Sequence, residues 1–221
     1  MNPSPLLVEK KREALKQALA ALGEQVEIAL RKSLDALRGQ DLALAQEVVA
    51  GDPAINRQRR ILEQEGLLVL AAYQPAGLDL RTIAASLEIV SELERIADYA
   101  ADVARILLFH ADERFPGLLV EQVADLGEAA AAMYCDAIAV YELDSDATTA
   151  RAVAARDDQV DALQRALVDA IVTLIREEPD AAAPGIALSW IAHNYERVAD
   201  RATNIAERVV YIATGETPDL N

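Results

Sequence analysis

Two stretches of the chain carry the same ladder of carboxylates. The first is Glu94-Arg95-Ile96-Ala97-Asp98, continuing to Asp102; the second is Glu196-Arg197-Val198-Ala199-Asp200, continuing to Asn204 and Glu207. From 94 to 196 is a shift of 102 residues. Spacing by four keeps side chains on one stripe of an α-helix, because four residues advance the face by only about 40°. Glu207 returns to within about 20° of Glu196 on an ideal helix. Like charges at i,i+4 cost a helix roughly 0.2–0.5 kcal/mol per pair, so a repeated ladder points to a compensating cation. Oxygen-only donors select Mg²⁺, Ca²⁺, Mn²⁺ or iron over copper or thiolate-bound zinc. Each half also carries an earlier pair spaced by four, Asp52 with Asn56 and Asp157 with Asp161. If these pairs face the ladders, each half gathers a polynuclear, oxygen-ligated metal site.

The competing reading is a solvated acidic face. Arg95, Arg105, Arg197, Arg201 and Arg208 lie close in sequence and can neutralise the ladders as surface ion pairs of small worth. Asp52 precedes Pro53 and can serve as a helix N-cap. His110 and His193 are the only histidines, and neither forms Glu-x-x-His spacing with a ladder carboxylate. His193, three residues before Glu196, is expected to be packed or exposed rather than a ligand. Trp190 reads as core or interface, and Cys135 as a buried small hydrophobe. No Walker A loop, no Gly-x-Ser-x-Gly and no His paired with Ser or Cys is present, so nothing points to an enzyme.

The elements that must position these groups are helices. Of the 221 residues 52% are hydrophobic but only 4% aromatic, with few Gly and Pro. A net charge of −16 opposes nucleic-acid or anionic-lipid binding and favours cations or basic protein surfaces. One cysteine excludes an internal disulfide and a thiolate zinc site. No apolar run reaches the roughly 18 residues of a membrane span, and Met1-Asn2-Pro3-Ser4-Pro5 does not read as a signal peptide. The expectation is a cytoplasmic helical protein without membrane insertion.

Helical periodicity runs from Leu6 to Leu37, from about Leu42 to Ala72 with Asp52-Pro53 as a kink or a restart, and from Leu78 to about His110. Phe115-Pro116-Gly117 then interrupts the chain, and the pattern begins again. Leu22-Gly23-Glu24 is echoed by Leu126-Gly127-Glu128, and Asp41, Ala45, Val48 and Asp52 by Asp146, Ala150, Val153 and Asp157. Glu178-Pro179-Asp180 and Pro184-Gly185 flank the start of a last helix that runs to about Thr214. The predicted fold is all-α, two tandem three-helix bundles with six long helices. Residues 1–114 and 115–221 form the two units of one structural domain.

Gln74-Pro75-Ala76-Gly77-Leu78-Asp79-Leu80-Arg81, with Leu93-Glu94-Arg95-Ile96-Ala97-Asp98 after it and Tyr195-Glu196-Arg197-Val198-Ala199-Asp200 through Glu207 in the second half, resembles the signature of PhoU-type phosphate-signalling regulators. The resemblance covers nearly the whole chain. It implies a metal cluster on the acidic face of each bundle, of iron, zinc, manganese or magnesium. By position it makes Glu94, Asp98 and Asp102 ligands in the first unit, and Glu196, Asp200, Asn204 and Glu207 in the second. It further implies a non-catalytic negative regulator of phosphate uptake and phosphate-starvation signalling. The partners it implies are a membrane sensor histidine kinase and the ATP-binding subunit of a phosphate transporter; a homodimer is the expected assembly.

Three departures stand out. Ala97 and Ala199 replace residues that are often Gly in the family, Asp102 replaces an asparagine, and Arg105 occupies the position that aligns with Glu207. Arg105 is expected to make the first site hold metal less readily than the second, an effect that the added charge of Asp102 partly offsets. Two other functions compete: a ferritin-like di-metal carboxylate enzyme, which wants Glu-x-x-His from facing helices, and a metal-free helical scaffold.

Overall fold

A computed structural model of the chain describes residues 5–143 and 146–220, so most of the N-terminal stretch read against a leader lies outside the described residues. The first half holds three long helices, α1 (Pro5–Gly39), α2 (Leu42–Tyr73) and α3 (Gly77–Phe109). The second holds α4 (Gly117–Glu142), α5 (Ala147–Ala154), α6 (Asp157–Glu177) and α7 (Ala182–Thr214), with a short 3₁₀ turn at Pro179–Ala181 before α7. No strand occurs among the described residues. The fold is the all-α pair of three-helix units that the repeat predicts, with the fifth helix divided into α5 and α6.

That division falls elsewhere than the proline. Pro53 sits inside α2, which runs unbroken past it, so Asp52 is not the N-cap of a new helix. Its side chain is left available to face α3. The interruption comes instead at Ala155-Arg156 in the other half, which places Asp157 and Asp158 in the first turn of α6. Carboxylates there complement the positive end of the helix. Pro184 and Gly185 lie inside the start of α7 rather than before it, where a proline's missing N–H is tolerated.

The echoed aspartates do the same local work. Asp41 accepts hydrogen bonds from the Ala43 and Leu44 amides, both 3.0 Å, and Asp146 from the Thr148 and Thr149 amides at 3.3 and 2.7 Å. Each satisfies N–H groups that a helix start leaves open.

Buried residues of both halves form one continuous core. Three tyrosines fasten the halves to each other. Tyr134 donates to the Gly23 carbonyl at 2.8 Å, Tyr141 meets Ser86 at 2.7 Å, and Tyr195 meets Ser33 at 3.1 Å. All three rings are buried, so these bonds satisfy hydroxyls that water does not reach.

Helices α3 and α7, which carry the two ladders, pack against each other. They run antiparallel. Arg81 Nε donates to the Ile212 carbonyl at 3.1 Å, Glu88 pairs with Arg208 at 2.9 Å, Glu92 with Arg201 at 3.3 Å, and Tyr99 lies 3.4 Å from Arg197 Nε. As α3 ascends, its partners on α7 descend, and the two ladders sit beside each other near mid-helix. Ala97 and Ala199, which stand where the family often has Gly, are both buried.

Candidate functional site

In the first half α2 brings Asp52 to the α3 ladder. Burial, then the charges of Glu94, Asp52 and Asp102, push the Asp98 carboxyl up to about 6. Asn56 does not face the ladder as a free ligand; its amide donates to Asp52 Oδ1 at 3.1 Å and steadies that carboxylate. In the second half the start of α6 plays the part of α2. Burial, then Asp200, Asp161 and Glu196, push the Asp157 carboxyl up to about 6. Burial and Asp200 likewise raise Glu196, against the opposing influence of His193 and Arg197. Burial is the largest cause at all three and neighbouring carboxylates add to it, so the charged forms are disfavoured at both clusters.

The ion pairs do not offset this at every carboxylate. Arg105 reaches Asp102 at 2.6 Å and Asp52 at 3.2 Å. Arg165 pairs with Asp161 at 3.1 Å and Arg197 with Asp200 at 2.9 Å. Among the described residues no ion pair reaches Glu94, Asp98 or Asp157. His193 Nδ1 lies 3.2 Å from Glu196 Oε2, close enough to interact electrostatically, yet that buried oxygen receives no aligned hydrogen bond. His193 is thus exposed, one of the two settings expected of it, and it also touches the second cluster.

Two of the ladder residues are engaged elsewhere. Asn204 donates to Glu92 Oε2 at 3.3 Å, on the α3 side. Glu207 is buried, accepts a hydrogen bond from the Leu220 amide at 2.8 Å and pairs with Arg208 at 3.3 Å. Helical phase alone put both on the Glu196 stripe, but they lie two to three turns farther along the axis, opposite different partners. The residues that reading overlooked are Glu88 and Glu92, themselves spaced by four, which hold Arg208 and Arg201 across the α3–α7 seam. Their spacing was a usable signal.

The chemistry of each cluster suits a hard cation. It supplies oxygen donors only, carries surplus negative charge at its centre, and in the second half leaves a buried carboxylate oxygen without a donor. The carboxylates are gathered but not closed: among the described residues no three His, Cys, Asp or Glu side chains form a ready cation cage. Trp190, expected in core or interface, is 56% exposed. Cys135 is half-buried rather than fully buried, and desolvation with nearby Glu27 pushes its thiol up to about 11.

Comparison with known proteins gives the same twofold division. The PhoU domain model matches the chain twice, over residues 19–107 and 123–209. A phosphate-specific transport system accessory protein PhoU homolog of Rhizobium meliloti is 32% identical over 204 residues, spanning 92% of this chain and 86% of that protein. A homolog of the same description from Pseudomonas aeruginosa is 33% identical over 203 residues, 92% of this chain and 84% of its own length. Among solved structures, the phosphate transport system regulatory protein PhoU of Streptococcus pneumoniae superposes with a TM-score of 0.88 at 29% identity, covering 96% of this chain and 99% of that one.

Proposed function

The chain belongs to the PhoU domain family, and from that premise we propose that it is a negative regulator of phosphate uptake and phosphate-starvation signalling in the cytoplasm. It acts by contact with other proteins and not by catalysis. The observation that carries this reading is the paired carboxylate constellation, Asp52 with Glu94 and Asp98, Asp157 with Glu196 and Asp200, at matched places in two halves that each match the PhoU domain. The relatives' names describe accessory and regulatory proteins of a phosphate transport system, and no helix among the described residues is long and apolar enough to cross a membrane. The partners in this reading are the ATP-binding subunit of a phosphate transporter and a membrane sensor histidine kinase, met by a homodimer.

A hard divalent or trivalent cation at each cluster would neutralise the surplus charge and draw α2 to α3 and α6 to α7. Asp52, Glu94, Asp98 and Asp102 are the ligands for the first, and Asp157, Asp161, Glu196 and Asp200 for the second. Asn56 positions Asp52. Asn204 and Glu207 drop out, because their side chains have other partners. The protein's own part is to hold paired carboxylates on neighbouring helices, so that cation occupancy sets the spacing of the surface presented to a partner.

Deleting the gene tests the function. Phosphate-starvation genes and high-affinity phosphate uptake are expected to be switched on in phosphate-rich medium. An unchanged response removes the assignment.

A further inference from the structure

The end of α3 and the start of α7 leave an open groove of about 510 Å³, lined by Asp102, Arg105, Ile106, Phe109, Trp190 and His193 among others. Phe109, the last residue of α3, is 84% exposed and Trp190 56%, in a chain whose aromatics are scarce and whose tyrosines 134, 141 and 195 are buried. Ile186, one turn before Trp190 on α7, is exposed as well. Large aromatics held in water beside a concavity are the residues that anchor protein partners. At about 150–250 Å² per ring, the exposed parts of Phe109 and Trp190 come to roughly 300 Å². A standard interface takes about 800 Å² from each partner. The two rings are therefore large enough to form the apolar centre of one, with the polar residues around them as its rim.

That rim is neutral and internally paired. Asp102, the one carboxylate in the described lining, is held at 2.6 Å by Arg105 of the same lining, and Arg105 also reaches Asp52. His193 faces Glu196 at 3.2 Å, Asn194 donates to the Trp190 carbonyl at 2.9 Å, and His110 packs edge-on to Phe109. A basic segment finds no free carboxylate here, and no lysine lines the groove to hold an acidic one. Polar groups that already have partners can be covered with little loss.

Two copies of a chain carrying −16 repel each other over most of their surface. A two-fold axis sets a patch against itself, so a charged patch would meet its own charge across the axis. Self-contact needs a place where charge is cancelled and shape is its own complement. This groove has both: Phe109 projects at its edge as a knob, and the hollow between Ile106 and Trp190 is a hole in the same patch.

We infer that this groove is the contact of a two-fold homodimer, in which Phe109 of each copy fills the groove of the other, against Ile106 and Trp190. The inference rests on the homodimer of the proposed function and deepens it by stating which surface closes the assembly.

Trp190 is the only tryptophan, so its fluorescence reports on the groove. Diluting the intact protein is expected to shift its emission to the red, in step with dissociation followed by sedimentation equilibrium. Phe109→Ala removes a side chain outside the core, so the fold survives, and is expected to weaken self-association about tenfold, as loss of an interface anchor does. Trp190→Ala is expected to act likewise. Mixing the two variants restores one complete Phe109–Trp190 contact per heterodimer, so the mixture is expected to associate more tightly than either variant alone. Leu68→Ser, at an exposed leucine outside the groove, is expected to leave the dimer unchanged. A mixture no tighter than its components, or a Leu68→Ser variant weakened as much as Phe109→Ala, overturns the inference. A dimer that neither Phe109→Ala nor Trp190→Ala weakens overturns it and keeps the homodimer, closed by another face. A chain that stays monomeric at its highest soluble concentration overturns both the contact and the homodimer and leaves the groove to a different protein. Derepression on deletion of the gene would then still uphold the regulatory function.

Discussion

Arg105 and Asp52 lie 53 positions apart in sequence and 3.2 Å apart in space, Nη2 to Oδ2. One guanidinium thereby joins α3 to α2 and, through its other nitrogen, holds Asp102 at 2.6 Å. At the aligned position the second half has Glu207, turned away to the Leu220 amide, and its Arg165–Asp161 and Arg197–Asp200 pairs each stay within one helix. The two carboxylate clusters are similar in charge and different in what already neutralises them.

Metal loading is therefore expected to be unequal. A fixed cation at the mouth of the first cluster opposes a second one by like charge. Replacing Glu196 and Asp200 together with Ala should remove most bound Mn²⁺ or Fe, as measured by elemental analysis after chelator-free purification. The Glu94→Ala, Asp98→Ala pair should remove less. Arg105→Ala should raise occupancy of the first half. Equal losses from both double variants, or an Arg105→Ala protein that binds no more than its parent, would contradict this account.

The same clusters set a pH dependence in metal-free protein. Asp98 and Asp157 are raised to about 6 in the fold, from an ordinary value of 3.8. The folded state then holds more protons than the unfolded state between about pH 4 and 6, so stability falls as pH rises through that window. Chelator-treated protein should melt at a higher temperature at pH 5 than at pH 7. Asp98→Asn and Asp157→Asn should each flatten the profile, and Mn²⁺ should restore the Tm at pH 7. A Tm that climbs from pH 5 to pH 7 would show that the carboxylates are not in conflict.

Much of this was legible beforehand because it depended on period and punctuation. Phe115-Pro116-Gly117 marks the division between halves, and the Asp41 and Asp146 caps follow from residue type and place. The partners of a side chain were less legible, since helical phase gives an angle and not a height. Phase puts Glu207 beside Glu196, but its position farther along α7 puts it beside Leu220 instead. Pro53 left a kink or a restart open, and α2 runs through it without a restart, while the break appears at Ala155-Arg156, which has no Gly or Pro to announce it.

The seam between halves can be weighed through Ser33. Its hydroxyl meets Tyr195 at 3.1 Å, with both groups buried. Ser33→Ala leaves the Tyr195 hydroxyl without that partner and should destabilise the chain by about 1–3 kcal/mol in urea unfolding. Tyr195→Phe with Ser33→Ala should recover part of the loss, because it removes the orphaned hydroxyl. Additive losses in the double variant would mean the two groups do not interact.

Glu207 provides the sharpest separation between family expectation and this chain's geometry. Its carboxylate receives the Leu220 amide at 2.8 Å and sits beside Arg208, while Leu220 packs its side chain on the core. A hydrogen bond to a charged acceptor contributes roughly 1.5–3 kcal/mol, so this contact helps to hold the segment after Gly215 against α7, together with the packing of Leu220 and the Arg151–Glu216 pair at 3.6 Å. Glu207→Ala should accelerate amide exchange at residues 216–220 and expose them to carboxypeptidase, with bound metal unchanged. Glu207→Gln keeps an acceptor for the amide and should protect the segment in part. Loss of metal from Glu207→Ala with the C-terminal segment still protected would reverse the assignment and return Glu207 to the second cluster.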